Sequence, residues 1–283
     1  MRVTPRDMEL LVDFWRAREL FADDVRALAF DRSLPDSGNA PHRSVAYRRL
    51  GTAVRNGLLA ARRVPALGSV GACPLLYTLG PEAAPLLAMR LGLAEEQVRR
   101  RITADSHLTE HFRGHRQAIT SAYRAVKRAC QDAGYDLDWE SDEDLACRRL
   151  AVIDRGVSVP IRPDARLSIG LPGRGRTGCF LEVQRTSRPS AFRLKLRGYL
   201  AGCRQRVFQR EFGVATPRVL GLVDSEPRAR NLQTVAEELG TRGLVWATTL
   251  RALAQDPFGS IWFVAGQGCE RKPLLGGGAT CNP

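Results

Sequence analysis

Residues 163–171 read PDARLSIGL, 173–178 GRGRTG, 179–187 CFLEVQRTS and 191–200 AFRLKLRGYL. Asp164 opens ARLSIGL, whose alternation of apolar and other residues predicts a strand. GRGRTG carries the glycines of a turn, and CFLEVQ is the next strand. Side chains two apart on a strand share one face. Glu182 and Gln184 therefore point the same way, and a hairpin brings Asp164 beside them. Two carboxylates on adjacent strands, backed by a helix rich in Arg and Lys, suit a divalent cation facing a phosphodiester.

Downstream, PSAFRLKLRGYLAGCRQRVFQREFG predicts one long helix with Phe192, Leu196, Tyr199, Leu200 and Val207 as its apolar face. PRVLGLVD predicts a strand, EPRARNLQTVAEELG a helix, GLVWATT a strand, RALAQDP a short helix and SIWFVAG a last strand. This succession predicts an α/β domain with a mixed sheet. Residues 269–283 are expected to form a flexible tail.

Upstream, LAEEQVRRRI and HLTEHFRGHRQAITSAYRAVKRACQDAG predict helices broken near residues 104–106. His107, His111 and His115 recur every four residues, but the outer two would lie about 12 Å apart along a helix axis, too far for one ion. No zinc is expected. Glu110, on the same helix, is a candidate extra carboxylate. DLDWESDEDLA predicts an acidic surface turn, without the glycine and spacing of a calcium loop.

The first hundred residues predict a winged helix-turn-helix. Thr4 and Pro5 start a helix bearing Met8, Leu11, Val12 and Trp15. ADDVRALAF is a second helix. HRSVAYRRLGTAVRNGLL is a third, with Ala46, Leu50 and Val54 inside and Gly57 at its end. LLAARRV and PLLYTLG are two strands flanking a Gly/Pro-containing wing. No acid occurs between Asp36 and Glu82, whereas Arg43, Arg48, Arg49, Arg55, Arg62 and Arg63 do. A helix and hairpin free of acids suit duplex DNA, and Arg43, Ser44, Tyr47, Arg48, Arg55, Arg62 and Arg63 are the candidate contacts. A solvated basic face, or a protein–protein module, is the alternative.

Composition is consistent with a polyanion partner. The chain has 283 residues and a formal net charge of +13. Residues 1–100 carry a net +4, 101–150 a net −1 and 151–283 a net +10. Only Lys127, Lys195 and Lys272 are lysines among the 43 basic residues, a skew that also follows from a GC-rich genome. Double-stranded DNA is the expected partner, and a homodimer is left open. Seven scattered cysteines without a C-x-x-C pair argue for a reducing cytoplasm. No apolar run is long enough to span a membrane, and no secretory signal is evident. GRGRTG lies between strands rather than before a helix, which excludes a phosphate loop and a nucleotide cofactor.

The Asp164 and Glu182 elements resemble the PD-(D/E)xK nuclease fold, with one departure: Gln184 stands where that family usually has Lys. Over residues 4–265 the order of a winged helix, HLTEHF, WESDEDL, PDA, FLEVQRTS and LKLRGY is similar to the replication-relaxation family of bacterial plasmids and mobile elements. The resemblance implies a winged helix-turn-helix over residues 1–100, then a nuclease-like α/β domain with a mixed sheet over 101–268, including its leading helix. It implies a DNA-associated role, either as a Mg²⁺-dependent nickase or endonuclease or as a non-catalytic binding factor or regulator with a degenerate nuclease fold. In the catalytic case Asp164, Glu182 and the Val183 carbonyl hold Mg²⁺, Gln184 orients water and Lys195 meets the phosphate.

Overall fold

The computed structural model describes residues 2–30, 41–64, 74–106, 110–185 and 189–275, except the side chains of 41–43, 106, 110–112 and 189. The chain is mixed α/β and forms two compact units, Met1–Thr120 and Ser121–Pro283. Among the described residues no helix is long and apolar enough to cross a membrane.

The first unit opens with α1 (Pro5–Ala17), where the Thr4 hydroxyl accepts from the Asp7 N–H and the Asp7 carboxylate bonds back to Thr4. Then follow β1 (Glu19–Phe21), α2 (Ala22–Ala29), α3 (Pro41–Arg55), β2 (Leu59–Arg63) and β3 (Leu75–Leu79). The strands form an antiparallel sheet in the order β1-β3-β2. β1 was not anticipated, because three residues containing a charged Glu19 show no readable period. Ala46 and Leu50 are buried on α3 as expected, but Ala53 is buried there while Val54 is only partly covered. Gly57 ends the helical region at φ 67°, a left-handed conformation favouring glycine. The wing, residues 65–73, and the turn-rich 31–40 lie outside the described residues.

A 3₁₀ turn (Pro81–Ala83), α4 (Ala84–Leu91), α5 (Glu95–Ser106) and the first part of α6 (Glu110–Ala133) complete this unit. The division thus falls at Thr120/Ser121 rather than at the expected 100/101. Buried polar contacts explain the difference. Arg101 lies 3.8 Å over the Trp15 ring and donates to the Trp15 carbonyl at 2.8 Å. Arg18 pairs with Asp105, and Thr120 donates to the Ala17 carbonyl at 2.9 Å.

The second unit takes the rest of α6 and adds β4 (Asp136–Ser141), α7 (Asp142–Cys147), β5 (Ala151–Asp154), β6 (Val157–Pro160), β7 (Ala165–Leu171) and β8 (Gly175–Val183). After these come α8 (Pro189–Arg204), α9 (Val207–Phe212), β9 (Arg218–Val223), α10 (Glu226–Glu238), β10 (Val245–Thr249), α11 (Leu250–Gln255), β11 (Ser260–Val264) and β12 (Arg271–Pro273). Seven strands form a mixed sheet in the order β12-β11-β10-β9-β8-β7-β4. β4, β7 and β8 run antiparallel in turn, while β8, β9 and β10 are parallel. The core on one side joins Phe180, Val219, Val245 and Phe263 of the sheet to Phe192 and Leu196 of α8 and Ala229 and Leu232 of α10.

Three expectations change here. The acidic turn is an edge strand and a capped helix, because its acids alternate with Leu137 and Trp139. Trp139 is buried, and Asp138 and Glu140 meet Arg166 at 3.1 and 2.6 Å. The long helix breaks into α8 and α9 at Arg206, whose φ of 55° ends the helical path. The expected tail contributes β12, which pairs with β11, and Leu274 is buried; residues 276–283 lie outside the description. Within α8, Gly202 has a structural reason: a Cβ there would stand 2.6 Å from the Phe208 ring and 3.1 Å from Ile161.

Candidate functional site

The β7–β8 hairpin places Asp164 just before β7 and Glu182 near the end of β8. Asp164 donates its N–H to the Leu181 carbonyl at 3.0 Å, and its Oδ2 accepts from the Val183 N–H at 2.7 Å. The side chain thus replaces a ladder bond and is fixed along the neighbouring strand. Glu182 pairs across the sheet with Gly221 of β9. A Cβ on Gly221 would lie 2.9 Å from Leu232 Cδ1, so glycine lets α10 pack directly against the strand beside Glu182.

The α8 helix supplies the rest. Lys195 and Tyr199 are four residues apart and so share one helical face. Lys195 Nζ pairs with Glu182 Oε2 and lies 3.9 Å from Asp164 Oδ1. The Tyr199 hydroxyl donates to Glu182 Oε1 at 2.8 Å. Glu182 is 1% exposed, whereas the Lys195 side chain is 36% exposed, so Lys195 is the member of this pair that reaches solvent.

Burial raises the Glu182 carboxyl to about 7, against the lowering effect of Lys195; the Asp164 charge adds to the rise. Burial alone would lower the Lys195 ammonium, but Glu182 and Asp164 outweigh it and hold it above its ordinary value. Tyr199 is raised, first by burial and then by the Glu182 charge. At neutral pH the helix therefore presents a fixed positive charge to the two acids.

Asp164, Glu182 and Lys195, named from the sequence, come together here. Gln184 follows β8; its residue is 9% exposed, its N–H donates to the Leu222 carbonyl at 2.8 Å, and its carbonyl accepts from Arg228 at 2.9 Å. In the sequence Tyr199 belongs to the apolar face of the helix and to the LKLRGY element, and neither reading gives it a role at the site. A tyrosine one turn after Lys195 on a buried face is the signal that could have found it, since a buried hydroxyl needs a partner. Among the described residues no group of three or more His, Cys, Asp or Glu is placed to hold a metal ion. The donor chemistry nonetheless fits a cation: Asp164 Oδ1 and Glu182 Oε2 both face one ammonium. His115 is half-buried on α6; His107 and the side chains of His111 and Glu110 lie outside the described residues.

The expected DNA contacts divide into two groups. Ser44, Tyr47, Arg48, Arg55 and Arg63 are exposed, with Arg55 donating to Thr52 at 3.1 Å; the side chain of Arg43 lies outside the description. Arg62 instead donates to Glu19 Oε2 at 3.2 Å. Arg49 pairs with Asp7, whose carboxyl burial would raise but hydrogen bonds from Arg49 and Thr4 hold below its ordinary value. The span free of acids in sequence is not free of acids in space: α1 and β1 bring Asp7 and Glu19 to it.

No family model, curated protein or solved structure matches this chain.

Proposed function

We propose that this chain is a DNA-binding protein of plasmid or mobile-element replication, of the replication-relaxation type. Its first unit would be a winged helix and its second a nuclease-like domain with a Mg²⁺-dependent nicking site. The convergence of Asp164, Glu182 and Lys195 at the end of the β7–β8 hairpin carries this reading. The order α1-β1-α2-α3-β2-β3 with the sheet β1-β3-β2 supports the winged helix, and exposed Arg48, Arg55 and Arg63 supply its basic face.

Asp164 Oδ1 and Glu182 Oε2, with the Val183 carbonyl, would hold the metal. Bound Mg²⁺ would polarise the scissile phosphodiester. Lys195 would supply the ammonium that the strand lacks at Gln184, and would neutralise charge developing on the phosphate. Gln184 would orient the attacking water.

A supercoiled plasmid should be nicked with Mg²⁺ or Mn²⁺ and left intact with EDTA. Asp164→Ala and Glu182→Ala should each abolish nicking while keeping DNA affinity, with circular dichroism confirming the fold. Gln184→Lys should raise the rate. Tight binding without nicking in the wild type and in Gln184→Lys would leave a non-catalytic replication factor or regulator. One observation favours that second reading: both oxygens of Glu182 are already engaged, by Lys195 and Tyr199.

A further inference from the structure

We propose that Tyr199 is the positioning residue of this site: its hydroxyl holds Glu182 by Oε1, leaving Oε2 to face the cation position shared with Asp164. This rests on reading the site as a seat for Mg²⁺. A glutamate side chain turns about three bonds, and burial restricts them without choosing which oxygen faces outward. The Tyr199 bond makes that choice. The residue is 1% exposed, and its ring centroid lies 5.7 Å from that of Phe180 and 5.8 Å from that of Phe208. Phe180 stands two residues before Glu182 on β8, and Phe208 belongs to α9. The ring is thus set by two elements other than its own helix, and its hydroxyl has one direction. Lys195, a turn earlier on α8, takes the opposite oxygen. The two helix residues divide the carboxylate between them. Tyr199 is the partner with no route to solvent; Lys195, partly exposed, is the one a divalent ion can displace.

A solely structural tyrosine would make the same hydrogen bond, so the test must read the cation. Free Mn²⁺ is followed by electron paramagnetic resonance during titration of the full chain. The proteins compared are wild type, Tyr199→Phe, Asp164→Asn and Phe208→Leu. Tyr199→Phe keeps the ring and loses the bond; its Mn²⁺ affinity should fall about tenfold, the scale of one hydrogen bond to a charged group. Phe208→Leu loosens the aromatic packing that sets the ring but keeps the hydroxyl, and its affinity should fall clearly less than that of Tyr199→Phe. Wild type should also give a tyrosine ultraviolet difference band on Mn²⁺ addition, as the charge on the acceptor of Tyr199 changes. That measurement stands if Tyr199→Phe does not fold.

Equal Mn²⁺ affinity in wild type and Tyr199→Phe, or equal losses in Tyr199→Phe and Phe208→Leu, would overturn the positioning role alone. A wild type that binds Mn²⁺ without a tyrosine band would do the same. Wild type no tighter than Asp164→Asn would overturn the metal reading and the positioning role with it.

Discussion

Each unit contains a buried glutamate facing a base from another element, and the two are built differently. Glu182 is 1% exposed and both its oxygens are bonded, one to Lys195 and one to Tyr199. Glu19 is 2% exposed, and only Oε2 meets Arg62, at 3.2 Å. Among the described residues its Oε1 and the Arg62 Nε are buried without a hydrogen-bond partner. Burial raises both carboxyls, offset in part at Glu19 by Arg62, Arg116 and Arg113. A buried polar atom left unpaired costs about 1–3 kcal/mol. The Glu182 cluster is therefore fully bonded, and the Glu19–Arg62 pair a looser clasp that a better anion can open.

The largest effect should come from removing the bases. Lys195→Met leaves Glu182 buried beside Asp164 with no positive charge. Breaking a fully buried pair typically costs about 3–5 kcal/mol; because the Lys195 side chain is a third exposed, about 2–3 kcal/mol is expected. Arg62→Met should cost about 1 kcal/mol, since Arg113 and Arg116 still act on Glu19. Urea denaturation at neutral pH measures both. Equal costs would break the distinction between a fully bonded and a looser site.

The next effect is a pH dependence. The Glu182 carboxyl is raised from 4.5 to about 7, so the folded state holds a proton that the unfolded state releases. That contribution is fully present below about pH 4.5 and is lost as pH rises through about 7. Glu182→Gln cannot titrate. Between about pH 5 and 7.5 the wild type should therefore lose stability relative to Glu182→Gln, read as a shift in urea midpoint. Glu19→Gln should act with the same sign. A wild type that instead gains on Glu182→Gln over that range would mean that Lys195 dominates burial.

Much of this contrast was legible before the fold was known, and part of it was not. The alternation of ARLSIGL and the following turn and apolar run place the acids on adjacent strands, although β8 is buried on both faces from Gly178 to Val183. Lys195 could be suspected from its place on the following helix. Periodicity alone groups Tyr199 with Phe192 and Leu196, since a helix face records burial and not the acceptor opposite it; only the need of a buried hydroxyl for a partner sets Tyr199 apart. Arg62 was placed among DNA contacts because its neighbours in sequence carry no acid. Its partner Glu19 is on a three-residue strand that periodicity cannot reveal. Likewise Asp136, Asp138 and Glu140 read as solvated, although Arg166 and Arg176 meet them across the sheet.

DNA binding tests the first unit on a smaller scale. Arg48→Ala and Arg55→Ala should each weaken duplex binding several-fold and lower the salt slope by about one, measured by fluorescence anisotropy. Arg62→Ala should do less, because its charge is already committed. An Arg62→Ala loss as large as that of Arg48→Ala would mean that the clasp is open on DNA.

The smallest effect is the most informative about the clasp itself. Glu19→Gln keeps the side-chain volume and removes the charge that holds Arg62. The raised carboxyl shows that burial already disfavours the charged form there, so the neutral amide should be tolerated by the fold. Arg62 then has no ionic partner and can turn to a phosphate. Duplex affinity at low salt should rise about two- to threefold, and the salt slope should steepen by up to about one. The double variant Glu19→Gln/Arg62→Ala should lose that gain, which ties it to Arg62 rather than to the general loss of a negative charge. Were the gain to survive in the double variant, it would belong to the overall field of the unit. Glu19 and Glu182 would then differ in bonding but not in their readiness to release a base.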